Sequence, residues 1–360
     1  MTDGRGTIDG IYHVLKMVAP GTALREGLEN VLRATTGALI VLGETPEIRA
    51  IVDGGFRLEN DFTPANLYEL AKMDGAIILS HDAKKILMVN TMLTPDTSIP
   101  SSETGIRHRT AERVARSTGL LTISISQRRN IITLYKDNAK YPLRDISVIL
   151  SKANQALQTL DKYQAVLKEA LMDLSILEFD DMVSLSDVAK TLQRFEMVTR
   201  VAREISRHIT ELGVEGRLIK MQLDELVGTS DREGYLLIRD FCAAERRENL
   251  EEIEEDLSAL SAEDLLDLNS FCRVLGYGSG PNVLEKPLVS RGYRILNKVP
   301  RLPFSVIENI VETCGTLNTV LIASGDELDD IEGIGEARAR TIKDGLARLR
   351  QQLAVDRRRL

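Results

Sequence analysis

Near residue 145 the hydrophobic rhythm of this chain changes, and no single layer architecture accommodates both rhythms. Before that point, short apolar runs bounded by turn residues stand at 36–43 (TGALIVLG), 75–80 (GAIILS), 86–90 (ILMVN), 121–127 (LTISISQ) and 130–136 (NIITLYK). Strands interleaved with helical patterns predict an α/β domain. The links at 81–85 and 128–130 are too short for a helical crossover, so their flanking strands must run antiparallel and the sheet must be mixed. Beyond residue 145, Ile149, Ala153, Leu157, Leu160, Val166, Leu167 and Leu171 follow a three-and-four spacing, and Leu192, Phe195, Val198, Ile205, Ile209 and Leu212 repeat it. This predicts an all-α helical spine, on which the acidic stretch 245–267 reads as a solvated face. GYGSGPN at 276–282 marks a second boundary before a small all-α ending. The expected layout is a mixed-sheet α/β domain at 1–144, a helical spine at 145–285 and a helix-hairpin-helix domain at 286–360.

Composition narrows the classes. With 360 residues, 43% of them hydrophobic, the chain can bury two or three cores. Cys242, Cys272 and Cys314 are odd in number and widely spaced, which supports neither a disulfide framework nor a zinc site and fits a reducing cytoplasm. No apolar run approaches the roughly 20 residues of a membrane span, and MTDGRGTIDG lacks a leader pattern, so a cytoplasmic, membrane-free protein is expected. The net charge of −8 hides a basic end: Arg338, Arg340, Lys343, Arg348, Arg350, Arg357, Arg358 and Arg359 face only Asp344 and Asp356 between 337 and 360. An anionic polymer would meet this end first.

Three motifs could carry chemistry. Asp74-Gly75-Ala76 sits where a helix built on Leu67, Leu70 and Met73 gives way to a strand; by itself it is equally a turn former. In 101–111 (SSETGIRHRTA), Gly105 precedes a helix start crowded by Arg107, His108 and Arg109. A glycine there lets backbone amides approach an anion, and cations at that end oppose the helix dipole unless an anion joins them. Phosphate is the natural ligand. A lone His108 is poor evidence for a metal site. Ser126, Arg128 and Arg129 at a hairpin either add phosphate donors or decorate the turn. In 331–335 (IEGIG), Gly333, Ile334 and Gly335 lie between a short helix at 326–330 and a longer one at 336–349. An ordinary capped turn would look similar. The paired glycines, apolar partners and basic Arg338, Arg340 and Lys343 point instead to amides offered to DNA phosphates. The stretch 302–324 reads as a partner helical hairpin around Gly315.

MDGA at 73–76, GIRHRTA at 105–111 and the terminal IEGIG hairpin, in that order around a helical region, resemble the diadenylate cyclase family of DNA integrity scanning proteins along essentially the whole chain. The resemblance implies a nucleotidyltransferase that condenses two ATP into cyclic di-AMP and two pyrophosphates. It also implies a homo-octamer with facing cyclase domains and a RuvA-like end for branched DNA such as Holliday junctions. By matching motif, Asp74 would hold Mg²⁺ or Mn²⁺ and activate the ribose hydroxyl, with Arg107, His108 and Arg109 completing the catalytic set. Gly75, Ala76, Leu93, Gly105, Ile106, Thr110, Ser126 and Arg128 would border the nucleotide with them. Ile106 stands where many relatives carry threonine, which leaves its backbone amide rather than a hydroxyl. The alternative class is a non-catalytic, nucleotide-sensing scaffold for DNA repair.

Overall fold

The computed structural model describes residues 13–228 and 230–356; the opening ten residues, and Arg357, Arg358 and Arg359 of the basic end, lie outside them. The protein divides into two compact units, one running to Gln155 and including Ile205–Met221, the other formed by Ala156–Glu204 and the residues from Gln222 onward.

The first unit is a mixed α/β layer structure. Its helices are α1 (Ala23–Arg33), α2 (Pro46–Ile51), α3 (Pro64–Leu70) and α4 (Ile106–Thr118). Its strands are β1 (Ala38–Leu42), β2 (Val52–Asp53), β3 (Phe56–Asp61), β4 (Ala76–Leu79), β5 (Lys85–Leu93), β6 (Leu121–Ser126), β7 (Ile131–Lys136) and β8 (Ala139–Pro142). They form one sheet in the order β2-β5-β4-β1-β6-β7-β8, with β3 also on β5. Only β1 and β4 are parallel; the remaining pairs are antiparallel, and for β4–β5, β6–β7 and β7–β8 the short hairpin links require it.

Alternation along β1 explains the layers. Ile40 and Leu42 pack with Leu24, Leu28 and Val31 of α1 and Leu67 of α3, whereas Leu39 and Val41 pack with Ala111, Val114 and Ala115 of α4. Every residue of β1 is buried, so it reads as a continuous apolar run. Each such fully buried Leu or Ile contributes roughly 1.5–3 kcal/mol. The exposed β3, with only Phe56 and Leu58 apolar, has no apolar run to detect. Helix α3 stops at Leu70, one turn before the expected Met73, which is exposed in the turn leading to Gly75.

Two long helices follow, α5 (Ile146–Phe179) and α6 (Leu185–Leu212), then α7 (Arg217–Val227). Ile149, Ala153, Leu157, Leu160 and Leu167 are buried as spaced, but Val166 is exposed. Adjacent helical residues lie about 100° apart, so Val166 and Leu167 cannot share one narrow seam. The second unit continues with α8 (Ser230–Phe241), α9 (Leu250–Ala259), α10 (Leu268–Val274), α11 (Tyr293–Leu296), α12 (Phe304–Cys314), α13 (Leu317–Ile322), α14 (Gly325–Asp329) and α15 (Glu336–Asp356). Within the acidic stretch, α9 buries only Ile253 and Leu257 and exposes its carboxylates. The core of this unit joins Phe179 and Leu236 to Tyr293, Leu296, Ile307, Ile310, Leu328 and Ile342. At its centre Arg294 is fully buried and paired with Glu178 and Ser175, while Asp240 accepts from the backbone N–H groups of Tyr293 and Arg294. No described helix is long and apolar enough to cross a membrane.

Candidate functional site

Where β4 emerges beside β5, Gly75 adopts φ +98°, and a Cβ there would lie 2.8 Å from the carbonyl carbon of Asn90 and 2.8 Å from the Thr91 carbonyl oxygen. Only glycine fits so close a backbone crossing. The buried Thr91 donates its hydroxyl to the Ala76 carbonyl at 3.0 Å, which fixes the floor of a cleft. Asp74, one residue earlier, is exposed in the turn, and among the described residues its carboxylate has no hydrogen-bond or ion-pair partner.

Across from this floor lies the start of α4. Its N-cap is Gly105, which offers no side-chain cap, and the first turn holds no acidic residue. The first-turn amides are therefore left for another acceptor, at the end of the helix where the dipole favours negative charge. The loop leading to it is tied down by α4 itself. Glu112 accepts from the Ser101 hydroxyl at 2.5 Å and the Ser102 amide at 3.0 Å, and Arg113 donates to the carbonyls of Thr97 and Ile99, both at 2.9 Å. Arg116 adds the Pro100 carbonyl at 2.6 Å.

The cleft between floor and helix encloses about 740 Å³. Its lining includes Gly75, Ala76, Leu93, Gly105, Ile106, Arg107, His108, Thr110, Ser126 and Arg128, all singled out in the sequence. Asp74 and Arg109 are not in that lining. Arg109 turns back onto the carbonyls of Glu103 at 3.3 Å and Thr104 at 3.4 Å, bracing the loop before the helix. Ser126 accepts from the Arg129 amide at 3.2 Å and so shapes the β6–β7 hairpin at the rim. Ile106 is 83% exposed, an unusual place for so apolar a side chain.

Arg129, read in the sequence as a phosphate donor or a turn residue, also lines the cleft, while several lining residues carried no sequence signal: Leu39, Thr91, Met92, Glu103 and Gln127. Gly37, before β1, was also silent, yet any side chain there would collide with the Arg107 guanidinium. Glu103 is the most informative of these. It is 7% exposed, accepts from the Tyr135 hydroxyl at 2.8 Å and pairs with Lys140, and Tyr135 in turn meets His108 Nδ1 at 2.9 Å. Burial alone would raise the Glu103 carboxyl, but the Lys140 and Tyr135 hydrogen bonds outweigh it and hold the group below its ordinary range. Burial lowers His108; Glu103 opposes this, while Arg129, Lys140 and Arg107 reinforce it. The cleft thus presents Arg107, Arg128 and Arg129 beside a neutral imidazole, with its one buried carboxylate already neutralised by Lys140. Such an arrangement is suited to a polyanion.

Comparison with known proteins agrees with that chemistry. A family model described as "DisA bacterial checkpoint controller nucleotide-binding" matches residues 25–140, and one described as "DisA bacterial checkpoint controller linker region" matches 143–284. The DNA integrity scanning protein DisA of Carboxydothermus hydrogenoformans is 60% identical over 342 residues, covering 95% of this chain and 97% of that one. The chain belongs to the DisA family. Its likeness to DisA of Symbiobacterium thermophilum is 57% over 348 residues, covering 97% of this chain and 98% of the relative. A solved structure of a DacA double mutant from Staphylococcus aureus matches at 20% identity and TM-score 0.30, over 34% of this chain and 85% of that one, too remote to add weight.

The third motif of this DisA-family chain, IEGIG at 331–335, forms the turn between α14 and α15. Ser324 and Glu327 cap α14 reciprocally, and Ile331 and Ile334 are buried in the core with Leu328, Ala339 and Ile342. Gly333 takes φ +84° and its carbonyl accepts from Arg338 at 2.5 Å. Arg340 pairs with Glu336, and Lys343 donates to the Ala323 carbonyl. The basic side chains are thus drawn along the turn and the first part of α15.

Proposed function

We propose that this protein is a diadenylate cyclase that joins two ATP molecules into cyclic di-AMP, releasing two pyrophosphates, and that its C-terminal turn binds branched DNA. The observation that carries the reading is the uncapped, acid-free N-terminus of α4 opening onto a cleft rich in arginine, opposite a glycine that lets β4 pass close to β5. The amides of Ile106, Arg107 and His108, with the Arg107 and Arg128 guanidinium groups, would hold the triphosphate. Thr110 and Ser126 would add hydroxyl donors, and Gly75, Ala76 and Leu93 would bound the nucleoside.

Two copies of the chain facing each other would set each ribose 3′-oxygen opposite the other nucleotide's α-phosphorus. Each attack forms an O3′–Pα bond and breaks the bond from Pα to the bridging oxygen, and the hydroxyl proton leaves to Asp74. A symmetric product suits an isologous interface, which a homo-octamer of paired cyclase faces would supply. Arg107, Arg128 and Arg129 offset charge on the departing pyrophosphate, and Arg109 keeps the loop before α4 in place. Positioning and electrostatics do most of the work.

The described residues include no cluster of three or more His, Cys, Asp or Glu, so an all-protein metal cage is not available. The unpartnered Asp74 carboxylate, together with phosphate oxygens of the nucleotide, is the donor set that Mg²⁺ usually takes, and Mn²⁺ would serve alike. When bound, such an ion supplies charge neutralisation at the phosphates.

At the other end, a Cβ on Gly335 would meet nothing closer than Asp329 Oδ1 at 3.9 Å, so packing does not require glycine there. Close approach of a phosphate to the backbone does. Domains of the extent read from the sequence (1–144, 145–285 and 286–360) would then couple DNA structure to second-messenger synthesis. The test is to incubate the full chain with ATP and Mg²⁺ or Mn²⁺ and identify the product by mass spectrometry. Cyclic di-AMP with two pyrophosphates per product, lost in Asp74→Asn, is expected. ATP left intact, or product formed equally by Asp74→Asn, overturns the assignment.

A further inference from the structure

Tyr135 is buried to 1% exposure and lies outside the lining of this cleft, yet its hydroxyl joins two ionisable groups that do line it. The directions of these bonds follow from charge. Lys140 sits on Glu103, so the carboxylate is ionised and can only accept. The Tyr135 O–H must then donate to Glu103, and its oxygen turns a lone pair toward His108 Nδ1 at 2.9 Å. Only an N–H can satisfy that lone pair, so the ring carries its proton on Nδ1. Nε2 is left as a bare acceptor, and it is the ring atom with no hydrogen-bond partner and no solvent contact. An unsatisfied buried nitrogen in a ring that lines a cleft calls for a ligand atom.

A phosphate oxygen is an acceptor too. It can pair with Nε2 only after that nitrogen gains a proton, which solvent supplies as the polyanion seats. We propose that Tyr135 and Glu103 are positioning residues that lock His108 in the Nδ1–H form, so that seating a nucleotide polyphosphate on Nε2 takes up one proton. This rests on the reading of the cleft as a nucleotide site. The groups facing the ring work in opposite senses: Glu103, through Tyr135, favours the imidazolium, whereas Arg129, Lys140 and Arg107 disfavour it. In the free protein burial and these cations win, and the ring is neutral. The phosphate charge reverses the balance. The device holds the ring uncharged until a polyanion arrives, then adds a charged donor.

Two substitutions separate the parts. Tyr135→Phe keeps the aromatic ring but removes the oxygen, freeing His108 to adopt the Nε2–H form, which can donate to phosphate with no added proton. Glu103→Gln keeps an acceptor for the Tyr135 hydroxyl but removes the charge. The first measurement is solid-state ¹⁵N spectroscopy of histidine-labelled full-length protein without nucleotide, with His108→Gln identifying the signal. The Nδ1–H form is expected in wild type and Glu103→Gln, and loss of that form in Tyr135→Phe. An Nε2–H ring in wild type overturns the proposal.

The second is calorimetry of α,β-methylene-ATP binding with Mg²⁺ near neutral pH, in buffers of different ionisation enthalpy. His108→Gln is subtracted to remove proton exchange by the nucleotide itself. Wild type should take up a proton, with affinity falling by up to about tenfold per pH unit across the titration, and Tyr135→Phe should lose at least half of that dependence. Binding without proton uptake, or equal uptake by Tyr135→Phe, refutes the proposal while leaving the cleft reading intact. No binding by wild type refutes the cleft reading itself, and this proposal with it.

Discussion

Replacing Gly75 by alanine tests whether the floor of the cleft depends on the close approach of the chain entering β4 to the backbone of β5. The φ of +98° imposes one cost and the overlap with Asn90 and Thr91 backbone atoms another. A left-handed backbone at a residue with a Cβ costs roughly 1–2 kcal/mol, and overpacking a rigid neighbour adds about 1–3 kcal/mol. Because the colliding atoms are main chain, they cannot rotate away as a side chain would. The sum of roughly 2–5 kcal/mol corresponds to about 30-fold to 5000-fold more frequent opening of the β4–β5 ladder, at 1.36 kcal/mol per decade. Hydrogen exchange followed by mass spectrometry on peptides spanning 76–79 and 85–93 reads this directly. Gly54→Ala is the control: φ is +65° there, but nothing lies within 4 Å of the added Cβ, so only the conformational part is incurred. Wild-type exchange in Gly75→Ala, or an equal effect of Gly54→Ala, would refute the packing argument.

Gly105→Ala should behave oppositely, because φ is −83° and the new Cβ meets only His108 Cδ2 at 3.9 Å. Stability should stay within about 0.5 kcal/mol while affinity for α,β-methylene-ATP drops by about tenfold or more as charge-assisted amide contacts are crowded out; unchanged affinity would count against the phosphate site. The same contrast applies at the other end: Gly335→Ala should leave thermal unfolding unchanged yet weaken branched-DNA binding in a gel-shift assay, whereas Gly333→Ala, at φ +84°, should also destabilise by roughly 1–2 kcal/mol. Burial, with help from nearby Glu178, pushes Asp240 up to about 7 from an ordinary 3.8. Its folded state therefore binds the proton more tightly than its unfolded state, so this group's contribution is complete below pH 3.8 and is lost as pH rises through about 7. Urea unfolding followed by circular dichroism should show that decline, and Asp240→Asn should flatten it.

Much of this was legible in the sequence because it lay in local patterns. The short apolar runs of β1, β4, β6 and β7 and the short hairpin links required a mixed sheet, and Gly105 with its cationic neighbours marked the helix start that opens onto the cleft. What escaped had no local pattern. Strand β3 is wholly exposed and carries only two apolar residues, Phe56 and Leu58, too few to form an apolar run. Gly37, Thr91 and Tyr135 matter only through residues far away in the chain: Arg107, Ala76, and His108 with Glu103. Tyr135 in particular reads from sequence as one more apolar member of a strand. Spacing also could not separate the three basic residues at 107–109: two of them line the cleft, and Arg109 braces the loop.

The central claim is that the N-terminus of α4 holds the phosphates of the nucleotide. A crystal structure of the full chain with Mg²⁺ and 3′-deoxy-ATP, which lacks the attacking hydroxyl, tests it most directly. The account predicts phosphate oxygens within hydrogen-bond distance of the amides of Ile106–His108 and of the Arg107 and Arg128 side chains, with the ribose 3′-carbon directed at a partner copy. A nucleotide bound away from the cleft, or with its phosphates remote from those amides, would contradict it.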